Sequence, residues 1–139
     1  MLERIDRDGE LIALIVRASY NEAGIHFFTP SDLSQQLAFM RHPAGKQIEP
    51  HSHQPVPRSV LLTQEVLVIR RGKLRVDFYD SAQKFFRSEV LGPGDVILLA
   101  GGGHGFEVLE EVEMFEVKQG PYAGDHDKRR FLPAGKPPR

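Results

Sequence analysis

The apolar runs of this chain are short, and Gly, Pro, Asp or Asn closes most of them, a rhythm that suits strands and tight turns rather than helices. The clearest case follows Gly72, where Leu74, Val76 and Phe78 alternate with Lys73, Arg75 and Asp77. Side chains on a strand point alternately to opposite faces, so this pattern predicts a half-buried strand leaving a tight hairpin at Gly72. A second joint lies in the stretch LGPGD. Pro93 suits the first turn position and Gly94 tolerates the positive φ that a type II turn needs next. Strands are predicted over residues 10–17, 25–29, 37–42, 47–51, 59–70, 73–79, 85–91, 95–99, 105–110 and 113–118, with one helical turn over 30–36 capped by Ser31 or Asp32. Such a series implies an all-β domain, two sheets closed into a sandwich or small barrel whose interior could hold a ligand.

A length of 139 residues is that of one domain able to bury its own core. The formal net charge of −1 argues against nucleic acid or an anionic membrane as the main partner. The chain has no cysteine, so disulfides, thiolate metal ligands and cysteine nucleophiles are excluded. The apolar run at residues 11–16 is too short for a signal-peptide core or a membrane span, and a cytoplasmic protein is the simplest expectation. Residues 1–139 are read as a single domain in which 121–139, lacking apolar periodicity, form a mobile C-terminal tail.

Candidate chemistry begins with His51 and His53, whose one-residue spacing aims both imidazoles the same way if they lie on a strand. The plain alternative is a polar strand end. Glu65 shares a face with Leu67 and Ile69, although a slip of one residue would put Gln64 there instead. His104 follows the Gly101–Gly102–Gly103 run and either points inward or caps a glycine turn. Arg58, between Pro57 and the next expected strand, could clamp a carboxylate or phosphate, or be an exposed loop residue. The cluster Asp125, His126 and Asp127 reads as a solvated turn of mixed charge.

Taken together, Gly45, His51, His53, Glu65 and Gly72 have the end spacings of the first cupin motif, G-x5-H-x-H-x(3,4)-E-x6-G. Gly94 and His104 stand at the corresponding places of the second, G-x5-P-x-G-x2-H-x3-N. Residues 45–108 thus resemble a small single-domain cupin. Eleven residues separate His53 from Glu65 where the pattern has three or four, Ala100 replaces the motif proline, Gly94 to His104 is one residue short, and Val108 replaces the asparagine. The prolines Pro55 and Pro57 let the long spacer bulge out at little cost in free energy.

The resemblance implies a cupin-type double-stranded β-helix, or jelly-roll barrel, with His51, His53, Glu65 and His104 as metal ligands. Three imidazoles and a carboxylate suit divalent Fe, Mn, Ni, Cu or Zn. It further implies an enzyme acting on a small polar metabolite, of isomerase or dioxygenase type and sugar-related in some relatives; Arg58, from its own place in the spacer loop, is the substrate-binding candidate. The rival expectation is a non-catalytic ligand-binding or sensor cupin. A homodimer is expected as well, with residues 11–16 covering an exposed sheet edge on the partner.

Overall fold

A computed structural model describes residues 1–135, and the last four residues of the expected tail lie outside the described part. Its strands are β1 (Leu2–Arg7), β2 (Glu10–Val16), β3 (Gly24–Phe27), β4 (Ala38–Arg41), β5 (Glu65–Tyr79), β6 (Phe85–Leu91), β7 (Val96–Leu99) and β8 (Gly103–Lys118). A 3-10 turn, η1, covers Gly124–Asp127. The large sheet runs β1-β2-β7-β5-β6, with β8 along the other side of β5, and β3 and β4 form a separate ribbon. All pairings between these strands are antiparallel, and the large sheet curls into a half-barrel. The chain is therefore all-β. Among the described residues no helix is long and apolar enough to cross a membrane.

The position of β2 follows from its composition. Its run of apolar residues is buried on both faces from Ile12 to Val16, which an interior strand requires, and it lies between β1 and β7. Residues 11–16 are thus not the free edge expected to reach a partner.

Gly72 does not turn a hairpin. The chain passes through it as one strand, β5, and the pairing with β8 continues on both sides, from Glu65↔Lys118 to Tyr79↔Gly103. The two predicted strands flanking Gly72 merge because register shifts between Ile69 and Leu74 bend the ribbon without ending it. Residues 105–110 and 113–118 merge into β8 for the same reason. The buried apolar core positions are Leu67 and Ile69, with Glu65, before the bend and Leu74, Val76 and Phe78 after it, where Asp77 and Tyr79 on the other face are buried as well. This change of parity keeps the apolar face of both halves directed at one core. Gly72 has φ of +87°, and a Cβ there would overlap the Glu111 carbonyl oxygen, so only glycine fits.

A straight strand would put Glu65 and Phe78 roughly 43 Å apart at about 3.3 Å per residue. Yet His104, the partner of Phe78, has its ring 3.5 Å from the Glu65 carboxylate. The β5–β8 ribbon folds back on itself at the bend. Ile5, Ile12, Ile15, Leu67, Val76 and Phe78 fill the space it encloses, with Leu91 and Ile97, in one continuous cluster. Each such side chain contributes about 1.5–3 kcal/mol through burial.

The turn expected at LGPGD is present. Gly94 has φ of +85°, and Asp95 N–H donates to the Gly92 carbonyl at 3.0 Å. Asp95 also accepts from Ala18 N–H and Gly92 N–H, both at 2.8 Å, and from Arg17 at 3.1 Å. Arg17 in turn reaches Glu3 at 2.5 Å and Glu89 at 3.2 Å. These carboxylates outweigh the burial that works against its charge and raise the Arg17 pKa. One guanidinium thereby ties β1, the end of β2, β6 and the β6–β7 turn together.

The helical segment expected over 30–36 is a turn and a series of bends, with Leu33 N–H on the Pro30 carbonyl at 3.2 Å. The strands expected at 47–51 and 59–64 are absent, and residues 42–64 have no regular structure. Pro43, Pro50, Pro55 and Pro57 explain the difference, since each removes a donor that a sheet ladder needs.

Gly72→Ala is expected to cost about 3 kcal/mol or more of unfolding free energy in urea, from backbone overlap added to the unfavourable φ. Gly45→Ala is the control. Its φ of +86° is similar, but no atom lies within 4 Å of a Cβ there, so about 1 kcal/mol is expected.

Candidate active site

The fold-back places the first residue of β5 beside the starting end of β8. Glu65 pairs with Leu99 of β7 and Lys118 of β8, and its carboxylate is turned inward, with the residue 7% exposed. His104 Nε2 lies 3.5 Å from Oε2 and Lys118 Nζ lies 3.4 Å from Oε1. Lys118 continues to Asp127 at 3.8 Å, and the Thr63 hydroxyl donates to the same Asp127. A histidine, two carboxylates, a lysine and a threonine form one chain of contacts at the rim.

A buried carboxylate would ordinarily titrate high. Glu65 does the opposite. The hydrogen bond from the His104 ring draws its pKa from 4.5 down to about 2 against the cost of burial, and Lys118 adds to the effect. Lys118 itself is raised: burial opposes its charge, and Glu65 overcomes that. Glu65 is therefore an anion at any physiological pH, and it holds the His104 imidazole by Nε2. No protein group among the described residues hydrogen-bonds Nδ1.

Three glycines bring β8 to this point. A Cβ would stand 2.6 Å from Glu10 Oε1 at Gly101, 2.6 Å from the Tyr79 carbonyl oxygen at Gly102 and 2.8 Å from Phe131 Cζ at Gly103. At Gly102 the nearest neighbour is backbone and admits no side chain, while at Gly101 and Gly103 it is a side-chain end packed against the strand. His104 then emerges half-buried at a cleft of about 940 Å³, beside Phe106, whose ring centroid is 5.3 Å away. Phe131 packs edge-on to Tyr79 at 5.1 Å, and Phe85 N–H donates to the Ala134 carbonyl at 2.7 Å, so the segment after η1 is laid across this rim.

Of the four expected metal ligands, Glu65 and His104 come together. His51 and His53 stand in the irregular segment 42–64, exposed, with ring centroids 5.3 Å apart and His51 Nδ1 2.8 Å from the Glu49 carbonyl oxygen. Neither lines the cleft of Glu65 and His104. The shared direction of an H-x-H pair presupposes a strand, and the prolines around it prevent one. Among the described residues no three or more His, Asp or Glu side chains gather in a metal-holding group. The Glu65 oxygens face His104 and Lys118, where the ammonium already supplies the positive charge. This arrangement does not fit a bound transition metal.

Arg58 lines a second cleft of about 1580 Å³ that shares Thr63, Asp127, Lys128 and Arg130 with the first. Nothing in the sequence points to Lys118 or Thr63, and Asp127, expected in a solvated turn, is instead held by both of them. The register that brings Lys118 opposite Glu65 depends on the bend at Gly72, and Asp127 sits within what reads as a solvated turn. Comparison of the chain with protein-family models, curated proteins and solved structures gives no match.

The lowered Glu65 pKa makes stability depend on pH. A group whose pKa falls on folding stabilises the protein fully above its unfolded value of 4.5, and loses that contribution as pH drops through about 2. The difference corresponds to about 3 kcal/mol, at about 1.4 kcal/mol per pH unit. Wild type is expected to exceed Glu65→Gln in unfolding free energy at pH 6, with the gap closing by about this amount at pH 2, as measured by urea denaturation at each pH.

Proposed function

We propose that the protein is a small cupin-like enzyme that shifts a proton within a polar metabolite, with His104 as its general acid–base and Glu65 as the residue that orients it. The observation that carries this reading is the contact of a buried carboxylate, its pKa held down to about 2, with a cleft-lining imidazole. The end spacings of the two motifs and the curled antiparallel sheet support the jelly-roll assignment.

With Nε2 directed at Glu65, the proton resides on Nε2 and the lone pair is on Nδ1, where it can take a proton from a bound ligand. A proton leaving a carbon next to a carbonyl passes to Nδ1, while its electron pair moves onto the carbonyl oxygen. The imidazolium so formed is stabilised by Glu65 across 3.5 Å. In an α-hydroxy carbonyl substrate the imidazolium returns its proton to the former carbonyl carbon while the α-hydroxyl proton passes to the former carbonyl oxygen. The hydroxyl-bearing carbon becomes the new carbonyl and His104 is regenerated. Lys118 and Asp127 keep the Glu65 carboxylate in place.

The test is deuterium incorporation from D2O into a panel of ketoses, aldoses and oxo acids, read by mass spectrometry. At least one class should exchange, and His104→Ala should slow that exchange by about 10²–10⁴-fold, the usual worth of a positioned acid–base group. Exchange unaffected by His104→Ala would overturn the assignment. Binding without any exchange would favour the non-catalytic reading.

A homodimer is also proposed. It is supported by β8, which is hydrogen-bonded only to β5 among the described strands and exposes Phe115 and Val117 by more than half. Light scattering at micromolar concentration should give twice the subunit mass of 15.7 kDa.

A further inference from the structure

Every Lys and Arg on the strands of the large sheet lies within 3.9 Å of a carboxylate. Around the clefts the reverse holds. Arg58, Lys128 and Arg130 all line the larger cleft, and none has a hydrogen-bond or ion-pair partner among the described residues. Among the described residues Arg129, also unpaired, lines the smaller cleft, while Arg41, Lys46 and Lys84 lack a carboxylate and line neither. Of the carboxylates facing the larger cleft, Asp127 is engaged by Thr63 and Lys118, which leaves Asp32 and Asp125 against three uncommitted cations. The lining therefore carries a net excess of uncommitted positive charge, which an incoming anion offsets.

The same cleft has a second unusual property. Leu61 and Tyr122 are 96% and 95% exposed, and Leu62 is 60% exposed. All three line it. Large apolar side chains so fully presented to water in one concavity mark a surface that gains from being covered. Leu61, Leu62, Lys128 and Arg130 also line the His104 cleft, so a molecule seated on them extends toward the imidazole.

We infer that the larger cleft binds a small amphiphilic anion, its apolar body against Leu61, Leu62 and Tyr122 and its carboxylate or phosphate held by Arg58, Lys128 and Arg130. The planar guanidinium forks suit either group bidentately. This rests on the reading of the joined clefts as a ligand site and names the class of ligand they take.

The experiment is titration of isotopically labelled protein with phenyl phosphate, phenylacetate, inorganic phosphate and benzyl alcohol at constant ionic strength, followed by backbone amide shifts. The two amphiphilic anions should bind at least tenfold more tightly than inorganic phosphate or benzyl alcohol, and shift amides in residues 58–63 and 122–130. Which of the two binds more tightly distinguishes phosphate from carboxylate recognition. Arg58→Ala combined with Arg130→Ala should weaken both at least tenfold, and Leu61→Ser combined with Tyr122→Ser several-fold, while Lys46→Ala changes nothing. These side chains are exposed and the two arginines unpaired, so melting temperatures should match the wild type. Binding unchanged in the arginine variant, equal for benzyl alcohol, or equally weakened by Lys46→Ala would overturn the inference. His104→Ala should retain phenyl phosphate binding. Anion binding without proton exchange therefore fails the acid–base reading alone, and exchange with unaltered binding in the arginine variant fails this one alone.

Discussion

The structure depends on one contact that must stay empty of side chain, the passage of Gly72 against the backbone at Glu111 and Val112. There two long strands bend together. Hydrogen bonding resumes beyond the bend with β5 and β8 still paired, so the ribbon becomes both walls of a half-barrel. Without the bend the strands would form a flat ladder with Leu67 and Ile69 facing one side and Leu74, Val76 and Phe78 the other. The core and the site are both products of this single corner.

The same corner accounts for the electrostatics. His104 and Lys118 are fourteen positions apart on one continuous strand, yet both meet the Glu65 carboxylate. Local sequence could not produce that meeting. Burial alone would push Glu65 toward the neutral acid, whereas two donors converging from opposite ends of β8 keep it charged. A carboxylate fixed in this way is a constant charge beside the His104 ring.

Much of the fold is legible in residue order because strands and turns announce themselves locally. The alternation around Leu74, Val76 and Phe78, a strand over β2 and the Pro93–Gly94 turn all appear where their side chains predict, although β2 lies inside the sheet and not against a partner's edge. Gly72 was legible as a special position but not as a bend, since a positive φ serves a hairpin and a bulge equally well. The motif spacing singles out Glu65 and His104, and the fold brings their side chains to 3.5 Å from each other. His51 and His53 were read on the assumption of a strand, and the prolines beside them carried the contrary information. Lys118 and Asp127 were hidden because their role exists only once the ribbon has folded back.

The short strand β7 separates two polar centres. Asp95 and the guanidinium of Arg17 stand at its start, holding four elements in register, while Glu65 and His104 stand past its end beside the clefts. The hydrophobic cluster lies between them. Substitutions around the clefts therefore leave the tether at the other pole untouched, and energetic effects at well-separated sites add without interference. The 42–64 segment and the returning tail can therefore change in sequence while the Arg17 tether stays intact, so the two ends of the molecule are free to diverge at different rates.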